Sequence, residues 1–210
     1  MLTIPMNDDD SSVELRDLGH AFRGRPLLFR HMTITLRPDR VYALIGPSGS
    51  GKSTLLSILA GWQCPTEGEI AFHGVSRTGW VFQNPHGVAR RTALDHVILP
   101  YLTRGMTIPE ATICARQLLC EFGLESVAGR RFRDLSGGEA QRLMLARGVA
   151  SEPDLLLVDE PTAQLDVHTA DTVNAHLDAL ARRGMIVVIA THDHRTRDAA
   201  TDVIDLEQYQ

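Results

Sequence analysis

Lysine is almost missing from this chain. Of the 21 basic side chains in its 210 residues, 20 are arginine and one, Lys52, is lysine. A high-GC coding sequence produces such a bias, so the question is why a lysine stands at 52. Cysteine is scarce as well. Cys64, Cys114 and Cys120 are odd in number and lack zinc-ligand spacing, which excludes a disulfide framework and points to reduced thiols in a cytoplasmic protein. No run reaches the roughly 18 consecutive apolar residues of a membrane span; stretches such as Met185 to Ala190 have the length of a strand. Met1 to Ser12 carries Asp8, Asp9 and Asp10 and no basic segment, unlike a secretory signal. No basic amphipathic helix suited to a membrane surface is evident. A formal net charge of −5 argues against a nucleic-acid footprint, so no nucleic-acid partner is expected.

What is present is ample apolar material, 43% of the residues, at a length that predicts one domain. Short apolar runs bounded by Gly, Pro or Asp read as strands: Val13 to Leu18, Met32 to Leu36, Val41 to Ile45, Glu69 to His73 and Gly79 to Phe82. Lys52 to Gly61 reads as a helix stopped by its glycine. Thr92 to Leu124 turns helical, with Ile113, Leu118, Leu119 and Phe122 burying together. The last third alternates: a helix over Ser136 to Val149, a buried strand over Leu155 to Asp159, a helix over Val167 to Arg183 and a buried strand over Met185 to Ala190. Continuous apolar strands alternating with helices mean a parallel sheet covered on both faces. The expected fold class is α/β, with an N-terminal antiparallel β-subdomain and an inserted α-helical subdomain at about residues 88–150. Residues 1–12 read as a flexible tail and 13–210 as the single domain.

Gly46-Pro47-Ser48-Gly49-Ser50-Gly51-Lys52-Ser53-Thr54 fits the phosphate-loop pattern G-x-x-x-x-G-K-[ST], with a strand before it and a helix after. Its glycines let the backbone wrap an anion, its successive N–H groups form a nest, and the helix N-terminus adds a positive dipole. Lys52 brings a compact, mobile charge for the β- and γ-phosphates, which a planar guanidinium does not replace. Ser53 offers a hydroxyl to Mg²⁺. Leu155-Leu156-Leu157-Val158-Asp159-Glu160 places two carboxylates at the C-terminal end of a buried strand, where ligands of open α/β sheets bind. Asp159 is placed to hold the cation and Glu160 to orient an attacking water.

Leu135-Ser136-Gly137-Gly138-Glu139 alone is a helix start, with Ser136 and Glu139 spaced for a capping box. It stands 19 residues ahead of the acidic strand, counted from Gly138 to Leu157. At this point the sequence resembles the ATP-binding-cassette family from about Val13 to Ile204. The resemblance implies that Ser136, Gly137 and Gly138 cap ATP held by an opposite subunit. It implies that Phe22 stacks on adenine, where the family more often has tyrosine. It gives Gln83 a role in sensing Mg²⁺ at the place where transport subunits dock, and it makes Asp166 the acidic end of the loop across the dimer interface. His192 takes the place of the histidine that contacts the γ-phosphate. The nearby His194 lacks the further ligands that a metal site would need, and His86, His168 and His176 read as surface residues.

The cofactors implied are ATP and Mg²⁺, with Ser53, Gln83 and Asp159 around the cation and Glu160, His192 and Lys52 as the catalytic set. The partners implied are a second ATPase subunit, identical or homologous, and separate integral membrane permease subunits docked around Gln83 and Thr92 to Arg104. The protein would then lie on the inner face of the cell membrane. Thr92 to Pro100 is similar to lipoprotein-release and macrolide-export ATPases, although those relatives usually read Glu-Asn where this chain has Asp95-His96. The segment from Gly68 to Gln83 is also shorter than theirs, which leaves export and import both open. The alternative is a soluble cassette ATPase of DNA repair or translation; such proteins carry coiled-coil or zinc insertions, or a second cassette, and none is visible here.

Overall fold

Four consecutive apolar residues, Leu155 to Val158, cannot alternate between core and solvent, so they need cover on both faces. A computed structural model describes residues 11–162, 170–171, 173–175 and 184–210. In chain order its strands are β1 (Ser12–Ala21), β2 (Leu27–Leu36), β3 (Arg40–Ile45), β4 (Glu67–His73), β5 (Thr78–Val81), β6 (Leu155–Asp159), β7 (Ile186–Ala190) and β8 (Asp202–Asp205). Among the described residues, its α-helices with defined ends are α1 (Lys52–Leu59), α2 (Ala93–Thr103), α3 (Ile108–Glu121), α4 (Gly137–Ala150) and α5 (His194–Ala199).

Five strands form a parallel sheet in the order β5-β6-β7-β3-β8. The pleat sends alternate residues to opposite faces. Leu155 and Leu157 join a core with Leu44, Leu55, Leu56 and Ile58 of β3 and α1. Leu156 and Val158 join a second core with Val97, Leu119 and Leu143 of α2, α3 and α4. Three further strands make an antiparallel sheet, β2-β1-β4. The expected α/β class, with its antiparallel N-terminal sheet and inserted helices, is what is found.

The differences are local. β2 begins at Leu27 rather than Met32. Arg30 and His31 interrupt the apolar alternation that marks a strand, and His31 sits at φ +55 beside a register shift. Ser12, read as tail, is the first residue of β1 and pairs with His73. The single helical stretch from Thr92 to Leu124 is two helices, parted at Gly105, which turns the chain at φ +90, and Ile113, expected to bury with Leu118, Leu119 and Phe122, is exposed on the outer face of α3. The short β8 and α5 carry no periodic signal in the sequence. Val173, expected on a buried helix face, is fully buried. Asp166, His168, His176 and most of the helix expected over Val167 to Arg183 lie outside the described residues.

Candidate nucleotide-binding site

The parallel sheet brings the functional residues together through its strand ends. Four neighbouring strands each deliver a group just past the C-terminal edge: β3 runs into Gly46, β5 is followed by Gln83, β6 ends in Asp159 and Glu160, and β7 is followed by His192. This edge is where a crevice opens in an open α/β sheet. A cleft of about 630 Å³ forms there, lined by Phe22, Leu28, the phosphate loop, Gln83, Asp159, Glu160 and His192.

The loop's shape depends on glycine at two points. Gly46 has φ +143, and a Cβ there would lie 2.7 Å from Ser50 Oγ. Gly51 has φ +103, with the Phe29 ring 3.1 Å from where its Cβ would be. A larger residue at either position would push the loop out of its curve. The Ser50 side chain is buried against Gly46 and away from the cleft. Its expected contact with a nucleotide therefore reduces to its backbone, which bonds Pro47 O at 3.2 Å. Lys52 opens α1, and its Nζ donates to Gly46 O at 2.7 Å and Pro47 O at 3.1 Å. The ammonium is thus folded over the loop that a phosphate chain would occupy.

Ser53 Oγ donates to Asp159 Oδ2 at 3.1 Å, so the first turn of α1 and the end of β6 meet. Burial raises the pKa of Asp159; the Ser53 hydrogen bond opposes this, the Glu160 charge adds to it, and Lys52 opposes it. Glu160 follows at φ +48, a left-handed position costing a non-glycine residue about 1–3 kcal/mol. Its backbone N–H donates to Ala190 O at 2.9 Å. Four buried residues precede it on β6, each contributing about 1.5–3 kcal/mol.

The Glu160 carboxylate is about nine-tenths buried and faces an exposed histidine: His192 Nδ1 lies 2.8 Å from Glu160 Oε1. The His192 backbone N–H reaches Oε2 at 3.4 Å. On the far wall Phe22 is half exposed, held edge-on by His20 with ring centroids 5.2 Å apart. Ser136, Gly137 and Gly138 do not line this cleft. They open α4 elsewhere on the surface. Ser136 Oγ accepts from Glu139 N at 3.2 Å, and Glu139 Oε2 accepts from Ser136 N at 2.7 Å. Leu28 lines the cleft without having been foreseen, because it lies in the half of β2 that lacks alternation.

The sequence pattern of the ABC transporter family matches residues 29–163, more than half of the chain. The chain belongs to the ATP-binding-cassette transporter family. It is 40% identical to the lipoprotein-releasing system ATP-binding protein LolD of Anaeromyxobacter dehalogenans, over 82% of this chain and 80% of that one. It is 36% identical to LolD of Geobacter metallireducens, over 88% and 91%. The dimeric post-hydrolysis structure of the ATP-binding cassette MJ0796, bound to ADP and Pi, superposes with a TM-score of 0.80 at 29% identity, covering 92% of this chain and 93% of that one. The cassette is therefore an ATP-binding and ATP-hydrolysing transporter subunit, similar to the lipoprotein-release type. These relatives are transport ATPases, which favours that reading over repair or translation. Among the described residues, no helix is long and apolar enough to cross a membrane.

Proposed function

We propose that the cleft binds Mg-ATP and hydrolyses it when a second cassette closes over it, and that the cycle drives separate membrane permease subunits. One observation carries this reading: four strand ends, the phosphate loop and Phe22 converge on a single cleft. Phe22 and Leu28 offer the base an apolar wall. The loop amides and Lys52 would take the phosphates, with the ammonium exchanging its two carbonyl partners for phosphate oxygens. Ser53 and Asp159 present oxygen donors to one point, the donor chemistry that Mg²⁺ takes. Gln83, just past the end of β5, lines the same cleft. When bound, the cation neutralises charge on the phosphate oxygens.

Glu160 is the group set to orient the attacking water and polarise it. His192 holds its carboxylate from one side, so the carboxylate does not swing into solvent. Because Nδ1 of His192 is engaged with Glu160, a γ-phosphate oxygen would be met by Nε2. The Ser136 segment would complete the site in trans, with the N-terminus of α4 aimed at the phosphates of the partner's nucleotide. The permease would dock around Gln83 and α2, which places the cassette on the inner face of the membrane. Substrate identity belongs to those membrane subunits.

Glu160→Gln tests the core of this reading. Glutamine keeps an oxygen acceptor for His192 Nδ1 and the shape of the site but removes the charge. The variant should bind ATP, accumulate as an ATP-held dimer in size-exclusion chromatography, and turn over at least about 10²-fold more slowly, the scale of losing one preorganised electrostatic group. Turnover near the wild-type rate would remove Glu160 from its role.

A further inference from the structure

Gln141 is a polar side chain in an apolar place. It lies one turn into α4, a helix that packs against β5, and is 1% exposed. Its Nε2 donates to the backbone oxygen of Phe82 at 3.4 Å. Its Oε1 is buried without a hydrogen-bond partner. An apolar side chain of the same length would fill the space without stranding an acceptor, so stability does not explain the amide. The position of its single bond does. Phe82 precedes Gln83, whose side chain lines the nucleotide cleft.

We infer that Gln141 is a positioning residue that ties the start of α4 to Gln83. The Phe82–Gln83 segment is gripped from two sides. On the outer side the Phe82 ring stacks on Trp80, with centroids 4.9 Å apart at 21°, and lies 5.8 Å from Trp62. On the inner side its carbonyl is bonded to Gln141. Ser136 caps α4 five residues before Gln141, and a helix is stiff over that distance. A displacement of Ser136, as when a second cassette engages it, is therefore carried by α4 to the peptide that aims Gln83. Ring stacking fixes where the segment sits, and the Gln141 bond fixes how the Phe82–Gln83 peptide is turned. The inference rests on the role proposed above for Gln83.

The test is a double-mutant cycle on the full chain, read as steady-state ATPase over a Mg²⁺ titration, at a protein concentration where specific activity has levelled off. Gln141→Met keeps the volume and removes the bond. It should lower kcat about fivefold, the worth of one hydrogen bond, and raise the Mg²⁺ needed for half-maximal turnover, with KM for ATP shifted less than about twofold. In a Gln83→Ala background the same substitution should cost less than about 1.5-fold, because coupled residues do not add. Equal losses in both backgrounds, or a lower Tm with unchanged Mg²⁺ dependence, would overturn the role of Gln141. If Gln83→Ala by itself leaves turnover and Mg²⁺ dependence intact, the role of Gln83 fails and this inference falls with it. Should Gln141→Met not fold, Gln141→Asn carries the same comparison, since it keeps an amide in the core but is one methylene too short to reach Phe82.

Discussion

Lys52 is the one place where this chain's use of arginine for positive charge is broken, and its surroundings show why. Its ammonium makes two short bonds to carbonyl oxygens of a loop closed tightly on itself. A planar guanidinium with five fixed donors has no room to turn inside such a backbone cradle. The same residue gives a direct chemical test. Lys52 is the only lysine in the sequence, so an amine-acylating reagent has one side-chain target besides the N-terminal amine. Mass spectrometry should find Lys52 acylated in the free protein and protected at saturating Mg-ATP. Full labelling in the presence of nucleotide would contradict the cradle. Glu160 shows the complementary device: a residue that carries backbone strain while its neighbours on β6 carry the stability.

The three helices inserted between β5 and β6 begin in one way. α2, α3 and α4 each open with a capping box: Thr92 with Asp95, Thr107 with Glu110, and Ser136 with Glu139. Hydrogen bonds from the cap residues hold all three carboxyls below their ordinary range: the backbone N–H bond leads for Asp95 and Glu139, the side-chain hydroxyl for Glu110. A carboxylate whose folded pKa is depressed adds stability that is present above the unfolded value and is lost as pH falls through the folded one. In urea unfolding, the stability difference between wild type and an Asp95→Asn, Glu110→Gln, Glu139→Gln triple variant should be constant near neutrality and shrink below about pH 4.5. A difference independent of pH would place the effect elsewhere. Elements of this kind explain what could be read in advance. The phosphate loop, the Ser136 box and β6 are specified by residues adjacent in sequence. The α2/α3 break was also written locally, in Gly105 and the Thr107 box, beneath a helical pattern that runs through it. The first half of β2, β8 and the burial of Gln141 depend on partners far along the chain. His96 is a different case, with near partners: it is buried in α2, bonding Thr92 O at 2.7 Å and accepting from Val88 N at 2.9 Å. It thereby pins the loop before α2, a role that its place in the pattern does not reveal.

At the scale of the whole molecule, the proposed function gives one chain two unlike halves of a site on separate surfaces. The cleft has its phosphate loop, carboxylates and histidine in place, while Ser136, exposed at the start of α4, does not line it. A two-fold arrangement of two chains would bring each Ser136 to the other's cleft, so that a pair carries two composite sites. The MJ0796 cassette that superposes on this chain has a dimeric structure. Ser136→Arg separates binding from turnover. The substitution removes the cap of α4, at a cost of about 1 kcal/mol, and leaves every residue of the chain's own cleft intact. It also puts a bulky cation where a partner's phosphates would have to approach an unobstructed helix end. Isothermal calorimetry should give ATP affinity for the isolated chain within about twofold of wild type, while steady-state hydrolysis falls by about 10²-fold and no ATP-held dimer forms in the Glu160→Gln background. Loss of ATP binding together with hydrolysis would put Ser136 inside its own chain's site, and unchanged hydrolysis would mean that one cassette is sufficient.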